Sequence, residues 1–221
     1  MVVLEFLIVL GVIILSMTLH EAAHGYMAYW LGDETAKNEG RLTLNPLKHL
    51  DPMMSVVVPV LLYLMGGPVI GGAKPVPVDS RNLKYKEWGM ALVALAGPAM
   101  NFLLAFLGFA VMVICGAWSG TGAFWVSDGG ELLAFALGEF VMVNLGFMVF
   151  NLIPITPLDG SRILYAIAPD SVREVMARIE GTMGIMLIYL VVFLFGTGLS
   201  SVTSTVISGI LNFFCLVFGV S

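Results

Sequence analysis

Charge is scarce in this chain of 221 residues: 11% are Asp, Glu, Lys or Arg, less than half the roughly 25% of an ordinary soluble domain. That excludes a water-soluble globule, and a hydrophobic content of 59% indicates a membrane protein in its place. The ten basic residues form no basic face, so a nucleic-acid partner is not expected. Cysteine is nearly absent. Cys115 and Cys215 both lie in apolar stretches, where a thiol behaves as a small hydrophobe, and they suggest no disulfide framework. No Lys or Arg precedes the first apolar run and no small-x-small cleavage site follows it; a retained helix is therefore expected at the N-terminus rather than a signal peptide. Heptads, internal repeats and low-complexity tracts are also missing.

What is present is length without charge. Stretches free of Asp, Glu, Lys, Arg and His run from Phe6 to Leu19, Pro52 to Ala73, Trp88 to Ser127, Phe140 to Leu158 and Gly181 to Ser221. A spanning helix needs ~20 mostly apolar residues, so these gaps allow about five spans and one doubtful segment. The doubtful one, MMSVVVPVLLYLMGGPVIGGAKPVPV, is broken by Pro59, Pro68 and four glycines. Irregular backbone at membrane depth must be satisfied by protein or a water-filled cavity, which favours a short helix and a re-entrant piece. Basic residues flank it on both sides: Lys37, Arg41 and Lys48 before, Lys74, Arg81, Lys84 and Lys86 after. The positive-inside rule puts both flanks in the cytoplasm. The expected fold is an all-α polytopic membrane protein of about five to six transmembrane helices. Its first helix covers 2–31 and ends at Gly32, and "RLTL" before the doubtful segment reads as a short strand. The Lys- and Arg-free loop Gly120 to Gly130 is expected outside. A final helix pair, about 181–197 and 200–219 around GTGLSS, completes the chain, with the N-terminus outside and the C-terminus inside.

The first helix carries an expensive group of residues, LHEAAHGYM (Leu19 to Met27). At i and i+4, His20 and His24 share one helix face and can reach one cation, with Glu21 beside them as a general base for water. The alternative is that these groups merely hydrogen-bond neighbouring helices. It is disfavoured because each ionisable group inside a bilayer costs ~2.5 kcal/mol or more unless paired or functional. Catalytic zinc usually takes three protein ligands. Trp30 occupies the place where a metzincin would have its third His, and Glu34 and Glu39 follow the helix-breaking Gly32 in a solvated loop. His49, in NPLKHLDP, supplies a ligand, pairs with Asp51, holds the turn together, or serves in gating or substrate contact. Asp159, in NLIPITPLDGSRIL, is the better candidate: Pro154, Pro157 and Gly160 break the helix around it, and the expected topology brings it to the same membrane face as His20. Its alternative readings are an N-cap or an ion pair with Arg162. Asn101, in GPAMN, and Asn144 read as hydrogen-bonding residues between helices, with Asn101 placed to orient the site.

HEAAH and NLIPITPLDG together resemble the two motifs of the site-2 protease family of intramembrane zinc metalloproteases. GRLTLNPLKHLDP, AKPVPV and LAGPAMN resemble its compact subgroup without a PDZ domain. The similarity covers about residues 10–165. It implies one Zn2+ per chain held by His20, His24 and Asp159 near the cytoplasmic face, with Glu21 as general base and Asn151 steadying the substrate carbonyl. It also implies a small membrane-embedded β-hairpin after the first helix, matching Gly40 to Val78. A single metalloprotease domain over 1–221 follows, with a catalytic core of about 1–165. The substrate is a transmembrane-helix protein, and the small size and subgroup point to a prokaryotic plasma membrane. Extended GGPVIGG, or the strand near Arg41 to Leu44, would pair with unwound substrate. The rival functions are a zinc-binding transporter, for which inverted repeats would be expected, and a non-cleaving helix-binding protein, which has no use for Glu21.

Overall fold

The structure is a computed structural model that describes residues 2–64, 73–118 and 130–220, the stretch 180–197 by its backbone alone. An unbroken helix α1, Val2–Trp30, opens the chain. It stops where Gly32 takes φ +105°, a conformation open to glycine and strained for other residues. The chain then folds over the end of α1. It passes through the short α2 (Thr35–Asn38), a 3-10 turn (Pro46–Lys48), a π-helical turn (Pro52–Val57) and the two-turn α3 (Val58–Leu64). After an extended run and a series of turns come α4 (Glu87–Ile114), α5 (Glu131–Asn151), α6 (Asp159–Ile167) and α7 (Asp170–Phe218).

Among the described residues four helical stretches are long and apolar enough to cross a membrane: Val3–Trp30, Glu87–Ile114, Glu131–Asn151 and Gly198–Phe218. Helix α4 is central, packed against α1, α5 and α6. Gly108 of α4 shows how tightly α5 approaches: a Cβ there would lie 2.8 Å from the Phe140 ring. Away from the histidines, Ala105, Phe109 and Met112 of α4 form a buried cluster with Val141 and Leu145 of α5 and Ile207 and Phe214 of α7.

The sequence-based expectations need three corrections. The final helix pair is absent, because α7 runs as one helix through GTGLSS. Glycine, serine and threonine weaken a helix by up to ~1 kcal/mol per residue but keep their N–H groups, and no proline lies there to remove one. The loss of that hairpin also moves the C-terminus. Phe214 and Phe218 stack on Phe106 and Phe109, beside Trp118, so the chain ends beyond the far end of α4 from its start at Glu87. The third concerns "RLTL", which is irregular rather than a strand, and no sheet forms among the described residues. Segments 41–50 and 73–76 instead meet at an isolated antiparallel bridge between Leu50 and Ala73. The Arg41 guanidinium donates to the carbonyls of Lys74 (2.9 Å) and Pro75 (3.2 Å). A side chain thereby satisfies carbonyls that a hairpin ladder would have used. GGPVIGG and most of the Gly120 to Gly130 loop lie outside the described residues.

Candidate active site and metal centre

Two helical stripes face each other across the centre of the bundle. On α1, Ser16, His20 and His24 recur every four residues; on α4, Val93, Gly97 and Asn101 do the same. Residues at i and i+4 lie on one face. His24 donates from Nδ1 to the Val93 carbonyl at 2.7 Å, and His20 Nδ1 meets Asn101 Oδ1 at 2.5 Å. The pairing runs in opposite directions along the two helices, as consecutive crossings of a membrane require. Gly97 lies between these contacts. A Cβ on it would come within 2.5 Å of both imidazole rings, so only glycine lets α4 approach the histidines this closely.

An amide oxygen and a peptide carbonyl can only accept, so each Nδ1 must carry the proton and each Nε2 presents a lone pair. The two Nε2 atoms lie 3.0 Å apart. Asp159 Oδ2 reaches the same point, 3.2 Å from His20 Nε2 and 3.4 Å from His24 Nε2, and it is a buried oxygen without a hydrogen bond. With both imidazoles neutral, three electron-pair donors converge on one point. Such an arrangement repels itself unless a cation sits between them, and two imidazoles with one carboxylate form a zinc donor set. The residues fit the metal.

Asp159 is the first residue of α6, after the N-cap residue Leu158. Gly160 permits the placement: a Cβ there would collide with the Leu152 carbonyl at the end of α5. Glu21 lies beside the cluster and accepts the Val76 N–H through Oε2 at 2.8 Å. Among the described residues this is its hydrogen-bond partner, and the extended Lys74 to Val76 run that supplies it is the run clamped by Arg41. Behind His20 the polar chain continues. Asn101 donates from Nδ2 to Asn144 Oδ1 (2.8 Å), and Asn144 donates to Ser16 Oγ (2.9 Å) and to the Phe140 carbonyl (2.8 Å). All three of Ser16, Asn101 and Asn144 are fully buried.

Structure and sequence reading differ in their inventory of residues. His20, His24 and Asp159 form the one group of three or more potential ligands found among the described residues. Asn151 uses its amide N–H on the Phe147 carbonyl of its own helix, at 3.0 Å. His49 is buried away from the cluster as the cap of the Pro46–Lys48 turn, with Nε2 bonded to the Thr43 carbonyl at 2.8 Å. Of its expected roles, the hydrogen bond to Thr43 fits holding the turn. Sequence reasoning missed Gly97, Val93, Val76 and Arg41. The four-residue spacing of Gly97 and Asn101 within GPAMN was a visible signal; nothing local marks Val76, whose backbone does the work.

No family profile and no solved structure matches the chain. Curated relatives do. YwhC of Bacillus subtilis strain 168, named as a candidate zinc metalloprotease, is 41% identical over 175 residues, covering 76% of this chain and 72% of YwhC. Rip2 of Mycolicibacterium smegmatis, named in the same way, is 34% identical over 157 residues, and Rip2 of Mycobacterium tuberculosis 31% over 166. Each Rip2 match covers 70% of this chain and 55% of the relative, so the chain spans about half the length of those proteins. With 72% of YwhC matched at this identity, and with two histidines and an aspartate converging beside a glutamate within an apolar bundle, the chain belongs to the site-2 protease family of intramembrane zinc metalloproteases.

Proposed function

We propose that this protein is a zinc-dependent intramembrane endopeptidase that hydrolyses peptide bonds in or near transmembrane helices of membrane-protein substrates. The observation that carries the reading is the convergence of His20 Nε2, His24 Nε2 and Asp159 Oδ2, with both Nδ1 atoms already committed. When bound, zinc supplies a Lewis acid that polarises the scissile carbonyl and makes water acidic enough to be deprotonated near neutral pH.

The chain's own residues do the rest. Glu21 takes the water proton and returns it to the leaving amine. With Oε2 anchored on the Val76 N–H, Oε1 is the atom free to carry that proton. Asn151 has an amide oxygen and a second N–H beyond its bond to Phe147; steadying the substrate carbonyl is its assigned role. A helical substrate hides its carbonyls in i to i−4 hydrogen bonds and must unwind locally before attack. Residues 1–221 act as a single domain with the catalytic core at about 1–165. The N-terminus lies outside and the site faces the cytoplasmic side of a prokaryotic plasma membrane.

The test uses purified protein in detergent with a panel of single-span substrates, comparing wild type with Glu21→Gln and measuring bound zinc in both. Cleavage by wild type, a loss of at least ~10²-fold in the variant and about one zinc per chain in both would establish the mechanism. Zinc in both with no cleavage by either would overturn it.

A further inference from the structure

The run that meets Glu21 is built around one backbone donor. In Lys74-Pro75-Val76-Pro77-Val78 each proline fixes its own φ and keeps the residue before it out of the helical region, so the run stays extended. Proline has no N–H. Between Lys74 and Val78 the only backbone N–H is therefore that of Val76, and it is committed to Glu21 Oε2 at 2.8 Å. The Val76 side chain rests on α1 one turn beyond Glu21, where a Cβ on Gly25 would come 3.2 Å from Val76 Cγ1.

Ladder pairing ends just before this point. Leu50 bridges to Ala73 and the Lys74 N–H donates to the His49 carbonyl at 2.8 Å, after which Arg41 takes over. Its Nη2 donates to the carbonyls of Lys74 and Pro75. The Pro75 carbonyl and the Val76 N–H belong to one planar trans peptide group and point in opposite directions from it. Arg41 and Glu21 thus grip the two ends of a single rigid plane. A cation on the carbonyl also polarises the group and strengthens its N–H as a donor. The arrangement lowers stability elsewhere: Arg41 is 8% exposed, makes no ion pair among the described residues and leaves Nε buried without a hydrogen bond. Local losses of this kind are expected where a site requires them. We infer that Arg41 is a positioning residue for the general base: it orients the Pro75-Val76 peptide so that the N–H holds Glu21 Oε2 and leaves Oε1 free for the proton. The inference rests on the protease reading. Arg41 acts through a peptide group and touches no reacting atom.

The test compares zinc-loaded full-length wild type with Arg41→Met, Arg41→Lys and Val76→Pro in detergent. It reads kcat and KM on one single-span substrate, bound zinc, and hydrogen exchange at the Val76 amide. Methionine keeps an apolar stem and removes every donor, while proline deletes the N–H from an extended position that accepts it. Both variants should lower kcat at least ~10-fold, with KM within about twofold and zinc retained, because a misplaced reacting group costs up to ~10²-fold. Exchange at the Val76 amide should quicken at least ~10-fold in Arg41→Met, the amide having lost its fixed partner. Arg41→Lys, whose ammonium can bridge the same two carbonyls, should recover most of kcat. Unchanged kcat or unchanged exchange in Arg41→Met, or a loss of activity that tracks lost zinc, would overturn the inference and leave the protease reading standing. Zinc-loaded wild type that cuts no substrate would overturn that reading, and this inference with it.

Discussion

Asn101 sets the chemistry of His20 without reaching the reacting atoms. Its oxygen fixes the imidazole proton on Nδ1, and its own orientation is fixed by Asn144 Oδ1, which accepts from Asn101 Nδ2. Partners of this kind raise ligand basicity, and their loss typically costs 10–100-fold in metal affinity. Asn101→Leu should therefore weaken zinc binding by about that factor, measured by competition with a chelator, while Asn101→Asp, which keeps an acceptor facing Nδ1, should recover most of it. A purely structural asparagine would lower thermal stability and leave the zinc affinity of the folded fraction unchanged. At this scale the three candidate ligands that the fold brings together were legible because HExxH spacing is a property of one helix and the Asp159 motif is flanked by its own helix breakers. The role of Gly97 was not. A glycine in a membrane helix has many uses, and only the position of α1 shows that two imidazole rings occupy the space of its missing Cβ.

Elements are joined here by side chains as much as by packing. Asp33, completely buried just past α1, accepts from the Asp79 N–H (2.8 Å), from Asn82 Nδ2 (3.1 Å) and from both the backbone and hydroxyl of Thr35. It ties the turn that leads into α4 to the end of α1, and thereby sets the register of the two facing stripes. Burial alone would raise its pKa; the donors from Thr35, Asp79 and Asn82 more than offset this and hold it below the ordinary 3.8. Because the folded value is depressed, the stabilisation is complete above the unfolded pKa and disappears as pH falls through the folded one. Asp33→Ala should lower unfolding stability at neutral pH by about 2 kcal/mol, since it removes an ionised acceptor shared by several partly buried donors. The variant should also lose the part of acid destabilisation that sets in below about pH 4, seen in unfolding midpoints across pH. The solvated loop read after Gly32 did not single out Asp33, because two of its partners, Asp79 and Asn82, lie more than forty residues away. The same distance effect explains the absent hairpin. Alternation in "RLTL" gives a local strand preference, but Arg41 finds better partners in the Lys74 and Pro75 carbonyls.

Across the whole molecule, charge is distributed by end. All ten Lys and Arg residues lie in three stretches: Lys37 to Lys48 and Lys74 to Lys86 between α1 and α4, and Arg162 to Arg178 in α6 and the start of α7. These are the stretches next to His24 and Asp159. The opposite ends of α1, α4 and α5 carry acidic residues such as Glu5 and Glu131 and no basic one. Cytoplasmic loops collect Lys and Arg, and the proposed orientation, with the site end inward and the Phe106, Phe214 and Phe218 end outward, rests on this asymmetry. The proposed orientation comes from the sequence alone, whereas the end of α4 at which the chain finishes differs from the sequence reading, because α7 continues through GTGLSS where that reading placed a reversal. The two ends can be separated by labelling in cells with a membrane-impermeant maleimide. Cys115, exposed at the outer end of α4, should react in intact cells of a Cys215→Ala background. With Cys115 also replaced, a Glu39→Cys probe on the exposed connection after α1 should react only once the cells are permeabilised. Labelling of Glu39→Cys from outside, with Cys115 protected, would invert the bundle and place the catalytic end against the exterior.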